Sequence, residues 1–249
     1  MKTLDFKNPP VLEAVLDVST ICSDEESALS FIAKTNIEFI ADFPNQKEIN
    51  KFEGKLDISP ESSAKTSHTK TLVGFSCSNE ENQELIQRRV NGFSFHKLKP
   101  YYAEGGDEFI KNAISCWNKN VKALGGNALN SNKIGLRFIN LIKLDNQNIN
   151  KNFTVSVSNT DSIGNLKSIA YSYSVKLEDE YISNVNLYPG SNNEYILDID
   201  IFKSFSPQPL TKKEIIRHFN FMRDKKNLIF EKTLKESVLE KYNPVTQKL

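Results

Sequence analysis

The sequence lacks the long apolar runs, the paired cysteines and the glycine-rich loops by which several protein classes are identified. Its three cysteines, Cys22, Cys77 and Cys116, lie far apart and show no C-x-x-C or Cys/His spacing. This pattern argues against zinc and disulfide frameworks and predicts free thiols in a reducing compartment. No segment reaches the roughly 18 apolar residues of a membrane helix, and the start, MKTLDFKNPP, lacks the apolar stretch of a secretory signal. We therefore expect a cytoplasmic protein without a membrane partner.

The chain also lacks a charge excess of either sign. Lys and Arg number 32 against 31 Asp and Glu, so the formal net charge is +1. Dedicated nucleic-acid binders usually carry a basic excess, because neutralised phosphates supply most of their non-specific affinity. No phosphate loop and no supported Ser/His/Asp or Cys/His grouping is visible. We therefore predict no catalytic residue, no metal and no cofactor.

The first half of the chain predicts strands and two helices. The segment PPVLEAVLDVSTI begins with two prolines and then alternates apolar residues, which predicts a strand over residues 11–20. Ser23 and Glu26 form a capping-box pattern, so a helix is expected over residues 24–42. KFEGKLDI and KTLVGFSC have the length of strands. From residue 107 onward, apolar residues at helical spacing predict an amphipathic helix with Trp117 in its apolar stripe.

A β-hairpin is the clearest local feature. Asn91-Gly92 stands between the strand-like runs ELIQRRV and FSFHKLK. Both residues tolerate positive φ, which favours a type I′ turn with Val90 opposite Phe93. In that register His96 is a residue of a sheet face.

The second half repeats the same order of elements. NKIGLRFINLI, SIAYSYSVKL, YISNVNLY and EYILDIDIF predict strands, and Thr211 with Glu214 caps a long final helix. This repetition predicts an α+β fold with a largely antiparallel, curved sheet packed with helices and two pseudo-repeated halves, residues 9–125 and 132–235. The domain boundaries are then 1–126 and 127–249, and the two halves form one compact unit.

Three segments taken together, NPPVLEAVLDV, NKIGLRFINLI and FMRDKKNLIFEKTLKESVLEKYNP, resemble a sporadically distributed family of uncharacterised bacterial proteins of about this length. The resemblance covers nearly the whole chain. It implies an accessory role in mobile or antiphage-defence gene neighbourhoods. It assigns no catalytic residue.

Two charged residues interrupt otherwise apolar strands. Glu13 shares a strand face with Val11 and Val15, and Arg137 stands inside KIGLRFINLIKL. Burying a lone charge costs several kcal/mol, so the first interpretation is a structural ion pair between Glu13 and Arg137. The alternative is a ligand site in a cleft between the halves, where the guanidinium binds a carboxylate or phosphate.

Two aspartates lie two residues apart in LDIDIF. Asp198 and Asp200 therefore share one strand face, a geometry that a divalent cation can use. The simpler interpretation is that Leu197, Ile199 and Ile201 face the core while both aspartates face water. No third ligand stands in the same motif, which favours the simpler interpretation.

The first half of the final helix is basic. Its cations are Lys212, Lys213, Arg217, Arg223, Lys225 and Lys226. Such runs are usually solvated helix faces, and they also serve as interaction surfaces for nucleic acid or an acidic protein.

The absence of recognisable chemistry favours a non-catalytic binding or accessory protein whose partner is another protein. The alternatives are an enzyme or sensor that binds a small ligand or nucleotide through Arg137 and Glu13, and a nucleic-acid binder that uses the basic helix. A homo-oligomer is compatible with each of them.

Overall fold

The computed structural model describes residues 5–59, 62–99, 105–124, 129–145, 149–154, 168–191 and 193–245. Eleven strands, five α-helices and three short 3-10 helices lie in these ranges. The strands are β1 (Asp5–Phe6), β2 (Val11–Thr20), β3 (Asn45–Ser59), β4 (Ser62–Ser78), β5 (Glu84–Arg89), β6 (Gly92–Leu98), β7 (Asn130–Lys143), β8 (Tyr171–Lys176), β9 (Ile182–Pro189), β10 (Glu194–Pro209) and β11 (Pro244–Val245). The α-helices are α1 (Glu25–Thr35), α2 (Gly105–Ala123), α3 (Ile149–Asn152), α4 (Lys212–Thr233) and α5 (Glu236–Leu239). The 3-10 helices are Asn36–Phe39, Glu178–Glu180 and Glu240–Tyr242.

Nine of the strands in the described ranges form one sheet, in the order β3-β4-β5-β6-β2-β7-β10-β9-β8. Every neighbouring pair is antiparallel. The predicted α+β class with an antiparallel sheet is therefore confirmed. β2 and β7, the first long strands of the two predicted halves, lie side by side, so the sheet runs through both halves.

The helices α1, α2 and α4 pack on one face of the sheet and enclose the core with it. Phe93 and Phe95 of β6 contact Trp117 and Phe109 of α2, with ring centroids 5.8 and 5.5 Å apart. Because side chains alternate along a strand, Ser94 between them points to the opposite surface. We call that opposite surface the open face. Among the described helices, none combines the length and the hydropathy needed to cross a bilayer.

The helix that begins near residue 24 is shorter than predicted. α1 ends at Thr35 and continues as the 3-10 helix Asn36–Phe39. Its N-cap is Asp24, whose Oδ1 accepts a hydrogen bond of 3.0 Å from the backbone N–H of Ser27, so the expected capping by Ser23 is wrong. The capping box predicted for the final helix is confirmed, and α4 is continuous from Lys212 to Thr233.

The predicted hairpin is present, but its register differs by two residues. Phe93 lies opposite Arg88 rather than Val90, and the turn consists of Val90 and Asn91. A Cβ on Gly92 would lie only 2.5 Å from the carbonyl oxygen of Val18, so this glycine serves the close approach of β6 to β2. A shift of two residues leaves each side chain on its predicted face.

β3 and β4 extend past the sheet as a two-stranded arm. β5 pairs only with the last five residues of β4, from Gly74 to Ser78, whereas β3 pairs along nearly all of β4. We call residues 50–59 and 62–73 the arm. The strands here are longer than predicted, because the Ser, Thr and Lys residues of this segment do not alternate with apolar ones.

Candidate functional site

The central strands form a polar pocket on the open face. It is a cavity of about 360 Å³ built from alternate residues of β5, β6, β2, β7 and β10. It lies across the junction of β2 and β7, between the two predicted halves. We call it the central pocket. The residues that line it are Glu13, Val15, Asp17, Gln87, Arg89, Ser94, His96, Lys133, Gly135, Arg137 and Asp200.

Arg137 lies in this pocket and its charged partner is Asp198. Nε and Nη2 of the guanidinium each donate a hydrogen bond of 2.8 Å to one carboxylate oxygen of Asp198. These bonds raise the pKa of Arg137. The predicted direct ion pair between Glu13 and Arg137 is therefore wrong. The partner of Arg137 is an aspartate of β10, because β10 and not β2 supplies the nearest carboxylate.

Asp198 was expected to face water, and that prediction is also wrong. Asp198 is only 5% exposed to solvent, whereas the Arg137 side chain is 49% exposed. The neighbouring residues Leu197, Ile199 and Ile201 do lie in the core, as predicted. The carboxylate therefore works as a buried anchor that orients a half-exposed guanidinium.

Glu13 is held by a second set of hydrogen bonds. Nδ1 of His96 lies 2.7 Å from Oε1 of Glu13, and Nε2 lies 2.8 Å from Oγ of Ser94. Because the carboxylate only accepts, Nδ1 of His96 is the donor to Glu13, and Oγ of Ser94 is the hydrogen-bond partner of Nε2. The hydrogen bond from His96 lowers the pKa of Glu13, and the charge of Arg137 lowers it further.

Ser94, His96 and Glu13 follow the order of hydroxyl, imidazole and carboxylate found in sites of nucleophilic catalysis. A nucleophile must reach the substrate, and Ser94 is only 1% exposed. It lies between Asp17 and Gln87, its partners on the two neighbouring strands. We interpret this chain of hydrogen bonds as a support that fixes the Glu13 carboxylate in the pocket wall.

The other end of the pocket contains the remaining charges. Arg89 pairs with Asp17 and donates from Nη1 to the side-chain oxygen of Gln87 at 3.3 Å. Nζ of Lys133 lies 4.2 Å from the ring centroid of Phe202, the side chain that flanks the pocket on β10. The pocket thus carries three carboxylates and three basic side chains, besides His96.

Gly135 and Asp200 shape the middle of the pocket. Asp200 is paired across the strands with Arg137, and Gly135 with Asp17. A Cβ on Gly135 would lie 3.9 Å from Oδ1 of Asp200, so the carboxylate leans over the position where a side chain is missing. Burial raises the pKa of Asp200, and the charges of Lys133 and Arg137 oppose that rise.

The basic residues of α4 divide into two groups. Three are exposed near the start of the helix: Lys212, Lys213 and Arg217. Three are partly buried and contact other elements: Arg223, Lys225 and Lys226. Lys225 lies 2.6 Å from Glu178, and Arg223 lies 3.8 Å from Asp107. Nucleic-acid binding by this helix stays a prediction, and a steep loss of affinity with added salt tests it.

Sequence reasoning found Glu13 and Arg137 but missed most of the pocket. The missed residues are Asp17, Gln87, Arg89, Ser94, His96 and Lys133. Their signal is polar residues at most alternate positions of β2, β5, β6 and β7, whose intervening positions are mostly apolar. That pattern alone describes any sheet face in contact with water, so only the strand order shows that the residues converge.

No protein-family model matches the chain, and a search of curated proteins finds no significant match.

Proposed function

We propose that the protein binds a small polar ligand in the central pocket. The observation that carries this proposal is that Glu13 and Arg137 line one open cavity instead of closing on each other in a buried pair. A cavity of about 360 Å³ has the size of a small-molecule site. The pocket lies between the two predicted halves, the place at which the alternative prediction from the sequence expected a ligand cleft.

Two charged groups of the pocket, Arg137 and Glu13, are held in place before any ligand arrives. Asp198 holds Arg137 through two hydrogen bonds, and His96 holds Glu13 through one. Side chains that are already ordered lose little conformational entropy when a ligand binds. This preorganisation supports recognition of a specific polar ligand.

Replacing Arg137 with leucine is expected to weaken ligand binding by about 10-fold to 100-fold, the effect of losing one charged hydrogen bond of about 1.5–3 kcal/mol. The measurement is mass spectrometry of small molecules released from protein purified from the native host. Arg137→Lys, which keeps the charge but not the two-bond geometry, is expected to weaken binding less.

The matched control is Lys143→Leu, on the same strand and face but with a side chain that is 72% exposed and outside the pocket. Wild type and control should release the same compound. Circular dichroism establishes that the variants are folded. The proposal is contradicted if wild type releases no compound, or if folded Arg137→Leu and Arg137→Lys both retain it at the wild-type amount.

A second function, docking of a partner protein, is favoured by the arm. The ring of Phe52 on the arm is 73% exposed, and large exposed aromatic side chains are typical anchors of protein interfaces. We expect Phe52→Ser to lose a partner that wild type captures from a host lysate in stoichiometric amount. Lys51→Ser, an exposed neighbour on the same strand, should keep that partner. Capture by Phe52→Ser at the wild-type level excludes the arm as the docking element.

We propose that either activity is an accessory function in the bacterial cytoplasm, within a mobile or antiphage-defence locus. The support is the resemblance of the three sequence segments described above. The test is the identity of proteins that co-purify from the native host. Partners drawn only from unrelated housekeeping complexes would contradict it.

We also propose that the two halves arose by duplication. On one side of the β2–β7 pair the order is β6, β5, β4, β3, and on the other it is β10, β9, β8. In each half, therefore, the first strand is central and the last strand before the helix lies next to it. A superposition that aligns β2 with β7 but fails to align β6 with β10 contradicts the duplication.

A further inference from the structure

We propose that the ligand of the central pocket is a zwitterion of amino-acid size, whose carboxylate binds between Lys133 and Arg137 and whose ammonium group binds Asp200. This inference deepens the proposed function and rests on it. It names the charges that the ligand must carry and the side chains that recognise each of them.

The anion-binding end is provided by two cations with free donors. Arg137 uses Nε and one hydrogen of Nη2 for Asp198, and a guanidinium has five N–H groups. The remaining donors belong to a side chain that is 49% exposed and lines the pocket. Lys133 contacts the Phe202 ring and forms no ion pair with any of the described residues, so its ammonium hydrogens are available to a carboxylate.

The cation-binding end is provided by Asp200. The other carboxylates of the pocket are already bound, Glu13 by His96 and Asp17 by Arg89. Asp200 accepts no hydrogen bond from the described residues and leans over Gly135, towards the space that the missing side chain leaves. A largely buried carboxylate without a donor is costly, and an ammonium group of a ligand removes that cost.

The two ends are adjacent, which selects a ligand with both charges. Arg137 and Asp200 are direct cross-strand partners, and the side chains of such partners begin only about 5 Å apart. A phosphate placed at Arg137 would be repelled by Asp200, and a dication at Asp200 would be repelled by Lys133 and Arg137. A neutral molecule with a positive and a negative group meets an attractive partner at each end.

Isothermal titration calorimetry with single probes tests this recognition. The probes are the free proteinogenic amino acids and, for the best of them, its methyl ester and its N-acetyl derivative, with inorganic phosphate and putrescine as single-sign ions. We expect one or more free amino acids to bind. Removing either charge, in the ester or in the acetyl derivative, should weaken binding at least 10-fold.

Two variants assign the ends separately. Asp200→Asn should weaken the binding of the free amino acid and of the ester, and it should leave the binding of the acetyl derivative unchanged. Lys133→Met should weaken the binding of the free amino acid and of the acetyl derivative, and it should leave the binding of the ester unchanged. Lys143→Met, on the same face but outside the pocket, should bind every probe as wild type does.

The outcomes separate this inference from the function on which it rests. The proposal of a zwitterionic ligand is wrong if phosphate or putrescine binds more tightly than every amino acid, or if the two variants weaken the binding of all probes equally. Either result leaves the proposal of a ligand pocket uncontradicted. If no probe binds and protein from the native host releases no compound, both proposals are wrong.

Discussion

Replacing Arg88 with alanine is expected to lower the free energy of unfolding by about 4 kcal/mol, because it leaves buried acceptors unpaired and creates a cavity. Arg88 is 1% exposed and lies in β5, on the face covered by helices. Its Nε donates to Asn120 of α2 at 2.8 Å, and its Nη1 donates to the carbonyl of Ile32 and the side chain of Asn36 at 3.2 and 2.9 Å. One side chain therefore joins β5 to two helices.

The same guanidinium is buried without a carboxylate among its hydrogen-bond partners in the described chain. Thr35 accepts from Nη2 at 2.7 Å, and the ring of Phe39 lies 4.5 Å from the guanidinium carbon. Burial lowers the pKa of Arg88 to about 10, so the group is still charged at neutral pH. Neutral acceptors and an aromatic face together replace the hydration of the cation.

Urea denaturation of the purified variants measures the effect of Arg88→Ala. Arg88→Met fills most of the volume but makes no hydrogen bonds, so the difference between the two variants separates the cavity from the lost bonds. Lys51→Ala, at a side chain that is 62% exposed, is the control and should change stability by less than about 0.5 kcal/mol. A loss below about 1 kcal/mol in Arg88→Ala contradicts the proposed role of the residue.

Replacing Gly74 with alanine is expected to cost about 3 kcal/mol, since the added methyl group collides with the backbone of the neighbouring strand. A Cβ at this position would lie 2.2 Å from the carbonyl oxygen of Arg88 and 2.8 Å from Cα of Arg89. Neither atom belongs to a flexible side chain, so β4 and β5 must separate where the arm leaves the sheet.

Gly54 provides the matched control for Gly74. It lies in β3, and an added Cβ meets only the ring of His68, at 3.5 Å, which is an ordinary contact. Alanine within a strand also costs less backbone entropy than glycine, so Gly54→Ala should be neutral or slightly stabilising. Thermal unfolding of both variants measures the contrast, and equal melting temperatures would show that β4 and β5 accommodate the methyl group.

Strands and helix ends were predicted correctly where a few neighbouring residues define them. β2 has the predicted bounds, 11–20, because two prolines precede it and its apolar residues alternate. The Thr211 cap of α4 depends on residues three apart, and it too is confirmed. The hairpin turn was misplaced because its register depends on contacts with two further strands. Val90 donates to Val73 and Asn91 accepts from Thr20, and neither contact is visible in the hairpin's own sequence.

The residues of the central pocket were also predicted only as far as local sequence patterns reach. Strand periodicity was enough to single out Glu13 and Arg137 as charges that need partners. It could not name those partners, because Asp198 and His96 come from strands far away in the chain. Glu13 and Arg137 do both have partners, but the prediction paired them with each other instead of with His96 and Asp198.

The sequence by itself determined most of the long strands and helices, the apolar face of the central strands, and that two charges on central strands need partners. These properties follow from alternation, capping and the cost of burying charge, all of which act within a few residues. Only the tertiary structure decided that β5, β6, β2, β7 and β10 are consecutive in the sheet, and therefore that six charged side chains surround one cavity. Strand order is set by how distant segments pack their apolar faces together, so no short segment of the chain contains it.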